Sequence, residues 1–236
     1  MAELLFRDDP YLRVCGAEVV ATEGGSFELD RTVFYAAGGG QPGDTGSVRL
    51  ADESVLRVVD SRKLGDDRRV LHMLEPGGVA PPVGTRLEAR IDWERRHRHM
   101  RMHTALHLLC AVVRAPVTGG RIADDKAHLD FDIEMDKLSK EDIESRLNEL
   151  VVSGLDTRPM WITDAELDER PDLVKTMSVA PPRGTGGVRL IEIPGVDLQA
   201  CGGTHVANTR EIGALAVTRI RSEGRRNRRV TLGFAA

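Results

Sequence analysis

The stretch DWERRHRHMRMHTALHLLCAVV, residues 92–113, separates two kinds of sequence in this chain. It opens on Asp92, whose carboxylate can accept the free N–H groups of a first helical turn, so a helix is expected over Trp93–Val113. Met102, Leu106, Leu109 and Val113 recur at helical spacing and form its expected core stripe, with His103 and His107 at the edge of the buried face. Upstream, residues 18–22, 26–29, 32–35, 46–50, 55–61, 70–74 and 86–91 read as short strands divided by glycine or charged turns. Downstream, residues 126–133 alternate like a strand through Ala127, Leu129 and Phe131. Ser139 with Asp142 resembles a capping box opening a helix with core positions Ile143, Leu147, Leu150 and Val151. A short helix over 164–170 ends at Pro171, and strands are expected over 188–193, 211–220 and 229–234. The fold class expected is α+β: a small β-barrel domain over residues 1–91, then an α+β domain over 92–236 with an antiparallel sheet.

Composition narrows the function classes. The chain is 41% hydrophobic and 30% charged, with no apolar run approaching the ~18 residues of a membrane span. The first residues show no basic segment leading into an apolar one, and the three cysteines are too sparse for a disulfide framework, so a cytoplasmic setting is expected. The net charge of −4 argues against an overall basic coat. Local clusters remain: Arg95, Arg96, Arg98 and Arg101 early in the helix, and Arg219, Arg221, Arg225, Arg226, Arg228 and Arg229 near the C-terminus. Guanidinium groups pair with phosphate in a bidentate way, which points to nucleic-acid backbone over a merely solvated face.

Two pairs of metal-ligating residue types stand out. His103 and His107, in MHTALHLL, share one helical face at i and i+4. Cys201 and His205, in QACGGTHV, bracket two glycines that suggest a tight turn. One soft sulfur and three imidazole nitrogens suit Zn2+ better than Mg2+ or Ca2+, so one composite zinc site is expected. Four protein ligands are usual in a closed structural site, whereas a catalytic site keeps a position for water; the spacing leaves both open. No glutamate lies between His103 and His107, so the built-in general base of a His-Glu-x-x-His hydrolase is missing. His72, His97, His99 and His128 are expected to be surface or locally hydrogen-bonded residues. The glycine-rich segment FYAAGGGQPGDTG, residues 34–46, is not a P-loop, because no Gly-Lys-Ser/Thr follows.

In combination these motifs resemble a known family. HTALH at 103–107, LDFD at 129–132, CGGTH at 201–205 and GRRNRRV at 224–230 resemble the editing domain of alanyl-tRNA synthetase and its free-standing relatives, the AlaX proteins. TVFY at 32–35 followed by GGGQ at 38–41 is similar to the glycine-rich motif of the medium-sized AlaX class, so the likeness spans nearly the whole chain. It implies a trans-editing factor: Zn2+-dependent hydrolysis of the ester joining a wrong amino acid, serine first and glycine second, to the acceptor end of tRNA(Ala). His103, His107, Cys201 and His205 would be the zinc ligands and catalytic centre of an editing domain. Thr32 would discriminate serine from alanine, with Gln41 the second choice. Thr204 would position the ribose or orient a ligand, and Arg225, Arg226, Arg228 and Arg229 would grip the tRNA. One departure is that Thr118-Gly119-Gly120-Arg121 stands where the synthetase form tends to have a pocket glutamine. Two other readings are an RNA-binding module with a structural zinc, and a metal hydrolase of a small ester or amide. Neither a membrane nor an obligate protein partner is expected.

Overall fold

A computed structural model describes residues 2–177 and 187–235, with backbone alone at 66–68. They fall into two compact units, Met1–His97 and Arg98–Ala236. The architecture is α+β. No helix among the described residues is long and apolar enough to cross a membrane.

The first unit is built from β1 (Glu3–Leu4), β2 (Val14–Glu23), β3 (Ser26–Leu29), β4 (Arg31–Thr32), β5 (Gly46–Leu50), β6 (Val55–Leu64), β7 (Asp66–Leu74) and β8 (Arg86–Ile91). Among the described residues six of these strands close into a barrel in the order β2-β3-β7-β6-β5-β8, every neighbouring pair antiparallel. Side-chain alternation fills its interior. On β8, Leu87, Ala89 and Ile91 are buried, alternating with Arg86, Glu88 and Arg90. They join Val19, Phe27, Leu29, Phe34, Val48 and Val58 in one apolar core. Closure removes the unpaired edges that an open sheet of this size would expose.

The strand expected over 32–35 is shorter in the structure, since β4 ends at Thr32. Side chains replace the ladder there. The Phe34 N–H donates to Thr32 Oγ1 at 3.0 Å and the Tyr35 N–H to Asp44 Oδ2 at 2.7 Å. Asp44 in turn receives the fully buried Arg96 guanidinium, which also donates to the carbonyls of Pro10 and Val33. Arg96, expected within an exposed basic cluster, is therefore internal. Removing either charge would strand the other without water, at a cost of about 3–5 kcal/mol.

Helix α1 (Trp93–Val113) carries the division between the units, which falls after His97. Asp92 caps it, accepting the Arg95 N–H at 3.3 Å. The second unit continues through β9 (Val117–Ile122), β10 (Lys126–Asp132), α2 (Lys140–Ser153), β11 (Arg158–Ile162), α3 (Asp164–Glu169), β12 (Val188–Ile193), β13 (Asp197–Ala200), β14 (Leu215–Ser222) and β15 (Asn227–Phe234). It holds two antiparallel sheets, β14-β15-β10-β9 and β11-β12-β13. Helix α2 shields the β14 edge. Asn148 exchanges two 2.9 Å hydrogen bonds with the Leu215 backbone, and Glu144 accepts the Val217 N–H at 2.7 Å. Satisfying an edge in this way blunts its capacity to pair with another chain.

Two expectations need correction. The strand predicted over 211–220 starts only at Leu215. Residues Thr209–Ile212 form a 3-10 turn, because Asn208 and Glu211 make a reciprocal capping box, and Gly213 follows at φ 72°. On α1, His103 and His107 do not lie at the edge of the buried face: every residue from Met102 to Leu109 is buried, as on a helix enclosed on all sides.

Candidate metal centre

The second unit brings the two ligand pairs together. His103 and His107 come from one face of α1. Cys201 and His205 come from the loop directly after β13. One ligand atom from each of the four lies within 4.8 Å of all the others. Cys201 Sγ is 3.5 Å from His103 Nε2 and 3.2 Å from His205 Nε2. The His205 ring centroid lies 4.4 Å from that of His103 and 4.5 Å from that of His107. The three histidines are buried and Cys201 is partly exposed.

A buried guanidinium shapes the Cys-Gly-Gly-Thr-His loop. Arg189 Nη1 donates to the carbonyls of Cys201 at 3.1 Å and Gly203 at 2.9 Å, and the Cys201 N–H donates to the Arg189 carbonyl at 3.0 Å. The Gly203 N–H points at Sγ from 3.4 Å. Around this loop the imidazoles have outer partners. His107 Nδ1 lies 3.0 Å from Asp197 Oδ2, which also accepts Gln199 Nε2–H at 2.7 Å. A carboxylate only accepts, so His107 carries a proton on Nδ1, and Nε2 is the nitrogen left for ligation. His205 Nδ1 lies 3.1 Å from Thr104 Oγ1.

The electrostatics follow from this crowding. Burial pushes the Cys201 thiol up, but the His103 and His205 imidazoles outweigh it and hold the thiol well below its ordinary range. Burial disfavours a charge on His107, yet its hydrogen bonds to Asp197 and Cys201 raise it to about 9. His205, with burial the leading cause, is held well below the usual histidine range. A thiolate among imidazoles is ready for a divalent cation. One sulfur with three nitrogens is the donor set of a borderline-soft ion such as zinc, not of Mg2+ or Ca2+.

The chain has relatives over nearly its whole length. Residues 188–231 match the family described as Threonyl and Alanyl tRNA synthetase second additional domain, and residues 14–95 match tRNA synthetases class II (A). The protein named Alanyl-tRNA editing protein AlaX-M from Methanosarcina mazei is 36% identical, over 98% of this chain and 95% of its own length. Its namesake from Saccharolobus solfataricus is 34% identical, over 98% of both chains. This chain belongs to the AlaX family of alanyl-tRNA editing proteins. An alanine–tRNA ligase from Korarchaeum cryptofilum is 35% identical over 93% of this chain and 25% of the ligase.

The remaining sequence-derived AlaX residues fall in several places. Thr32 is buried in the first unit, with Oγ1 2.9 Å from His72 Nε2. His72 Nδ1 faces the Phe27 carbonyl at 3.2 Å, so Nδ1 carries the proton and Thr32 donates to Nε2. Gln41 is also buried, closing a tight turn with Gly38 through Gly39 and Gly40, both at positive φ. Thr204 is buried beside His205 in the second unit. Three of the four C-terminal arginines are tied internally. Arg229 makes a two-pronged pair with Asp130, at 2.7 Å each, and Arg226 meets Asp132 at 2.8 Å. Arg228 donates to carbonyls of its own hairpin, whereas Arg225 stands exposed there. Sequence reasoning missed Asp197, Thr104 and Arg189. Thr104 is flanked by the histidine pair, but its chemistry depends on partners about a hundred residues away.

Proposed function

We propose that this chain is a trans-editing deacylase: it hydrolyses the ester of mischarged Ser-tRNA(Ala), and secondarily Gly-tRNA(Ala), at a zinc centre held by His103, His107, Cys201 and His205. The observation that carries this reading is the convergence of the four ligand atoms within 4.8 Å in a member of an alanyl-tRNA editing family. Zinc bound there supplies Lewis acidity toward the ester carbonyl and toward water. The chain's own residues prepare for it. Asp197 engages His107 Nδ1 and so assigns Nε2 to ligation, and Arg189 holds the cysteine-bearing loop. An aminoacyl ester is already activated relative to an amide, so the missing glutamate base between the histidines is no obstacle.

Thr32 is the proposed discriminator between serine and alanine. Its hydroxyl donates to His72 and accepts the Phe34 N–H, leaving one lone pair. Toward a third partner it therefore acts as an acceptor, which suits the hydroxyl of serine and offers the methyl of alanine nothing. A site built around such a bond can favour the hydroxylated substrate by ~10⁴-fold or more. Gln41 is the second choice, Thr204 a positioning group near the ribose, and Arg225 the leading phosphate contact at the tRNA acceptor end.

Deacylation of Ser-tRNA(Ala), Gly-tRNA(Ala) and Ala-tRNA(Ala) by wild type and His103→Ala tests this. Rapid release of serine, sparing alanine and abolished by the substitution, is expected. Four protein ligands also fit a closed structural zinc. A folded, zinc-loaded protein that binds the tRNA and releases no amino acid would overturn the editing assignment in favour of that alternative.

A further inference from the structure

The Thr104 side chain, fully buried between the two α1 ligands, has one proton and three close neighbours. Its Oγ1 lies 3.0 Å from the Met100 carbonyl, 3.3 Å from the Val206 backbone nitrogen and 3.1 Å from His205 Nδ1. Each contact needs one hydrogen between its heavy atoms, because two lone pairs at such a separation repel. The carbonyl has none, so the contact to Met100 uses the threonine proton. Val206 supplies its N–H. The third contact then has a hydrogen only if His205 carries its proton on Nδ1. A hydroxyl has one donor and two acceptor sites, so this arrangement fills Thr104 completely.

We propose that Thr104 is a positioning residue of the metal centre: by accepting Nδ1–H it holds His205 in the tautomer and orientation that leave Nε2, 3.2 Å from Cys201 Sγ, to share a cation with that sulfur where the other contacts share a hydrogen. The inference rests on the zinc assignment above and adds the device that prepares its fourth ligand. Asp197 does the same for His107 from the opposite residue type, a carboxylate where His205 has a hydroxyl. Outer partners of this kind fix ligand tautomers and are commonly worth roughly 10–100-fold in metal affinity. Thr104 also bonds the backbone of Val206, next in sequence to His205, so one side chain on α1 ties both the ring and the main chain of the ligand loop.

Zinc affinity by chelator competition, with imidazole nitrogen NMR on the zinc-loaded protein, tests the proposal independently of catalysis. Wild type should show His205 protonated at Nδ1 with metal on Nε2. Thr104→Val should stay folded by circular dichroism yet bind zinc roughly 10–100-fold more weakly, and Thr104→Ser should restore binding. Wild-type zinc affinity in folded Thr104→Val would overturn the positioning role while leaving the zinc assignment intact. No zinc uptake by wild type would overturn both. Should the valine variant fail to fold, the wild-type spectrum decides, and metal on Nδ1 of His205 would sink the proposal.

Discussion

Inside the barrel an imidazole has no access to water. His72 is stacked on Phe27 at 5.2 Å and edge-on to Phe34 at 5.2 Å. Burial lowers its pKa to about 4. The unfolded chain, with an ordinary value near 6.5, binds a proton more readily than the folded one. The resulting stability is complete above pH ~6.5 and is lost as pH falls toward 4. Across that window His72 alone should remove about 3 kcal/mol, since each pKa unit is worth ~1.4 kcal/mol. Urea unfolding of the wild type between pH 7 and 4 should show this slope, and His72→Gln, though less stable at pH 7, should lose it. An unchanged slope in the variant would mean that other groups carry the acid sensitivity. The sequence around His72 looks like that of any strand histidine. What makes it a buried partner of Thr32 is the pairing of Phe27 with His72 across β3 and β7.

At the scale of elements, local chemistry was legible wherever an element carried its own start and stop. Ser139 caps α2 by accepting the Asp142 N–H at 3.2 Å, and Ile143, Leu147 and Val151 are its buried stripe. The helix ends at Gly154, in the left-handed region at φ 68°. A Cβ at that position would lie 2.6 Å from Arg210 Nε. Gly154→Ala should therefore destabilise the second unit by about 1–2 kcal/mol, the cost of a left-handed non-glycine residue, visible as a lower urea midpoint. An unchanged midpoint would show that the helix end can relax into another cap. The strand predicted over 211–220 instead starts at Leu215. Asn208 and Glu211 form a capping box that went unread in the sequence, so Glu211 was assigned to the strand instead of to the 3-10 turn.

For the whole molecule, the distribution of charge matters more than its sum. A net charge of −4 coexists with an arginine-rich C-terminal hairpin. Asp130 and Asp132 on β10 neutralise Arg229 and Arg226 by ion pairing, because β10 and β15 are neighbours. Arg225 is exposed at the turn. Arg225→Ala should leave thermal stability unchanged, weaken tRNA binding and reduce the salt dependence of log K by about one. Arg229→Ala should instead lower stability, since it leaves the Asp130 carboxylate unpaired. Binding of tRNA(Ala) across a salt series separates the two, and an unchanged slope for Arg225→Ala would remove this hairpin from the phosphate interface.

Several short-range signals were legible in the sequence alone. Asp92 marks the start of α1, alternation marks β8, and the i, i+4 spacing puts His103 and His107 on one face. Each depends on residues within a turn or two of one another, and so survives without knowledge of the fold. The ligand types of both motifs likewise named a plausible metal before any geometry. Tertiary structure alone decided which groups surround those ligands. Asp197 beside His107, Thr104 against His205, and Arg189 across the Cys201 loop join residues 12 to 101 positions apart. The same is true of Arg96, which resembles a surface charge until Asp44 closes over it. Hydrogen bonds and desolvation act through space, so a sequence names the donors and acceptors, whereas folding determines which of them meet and which are removed from water.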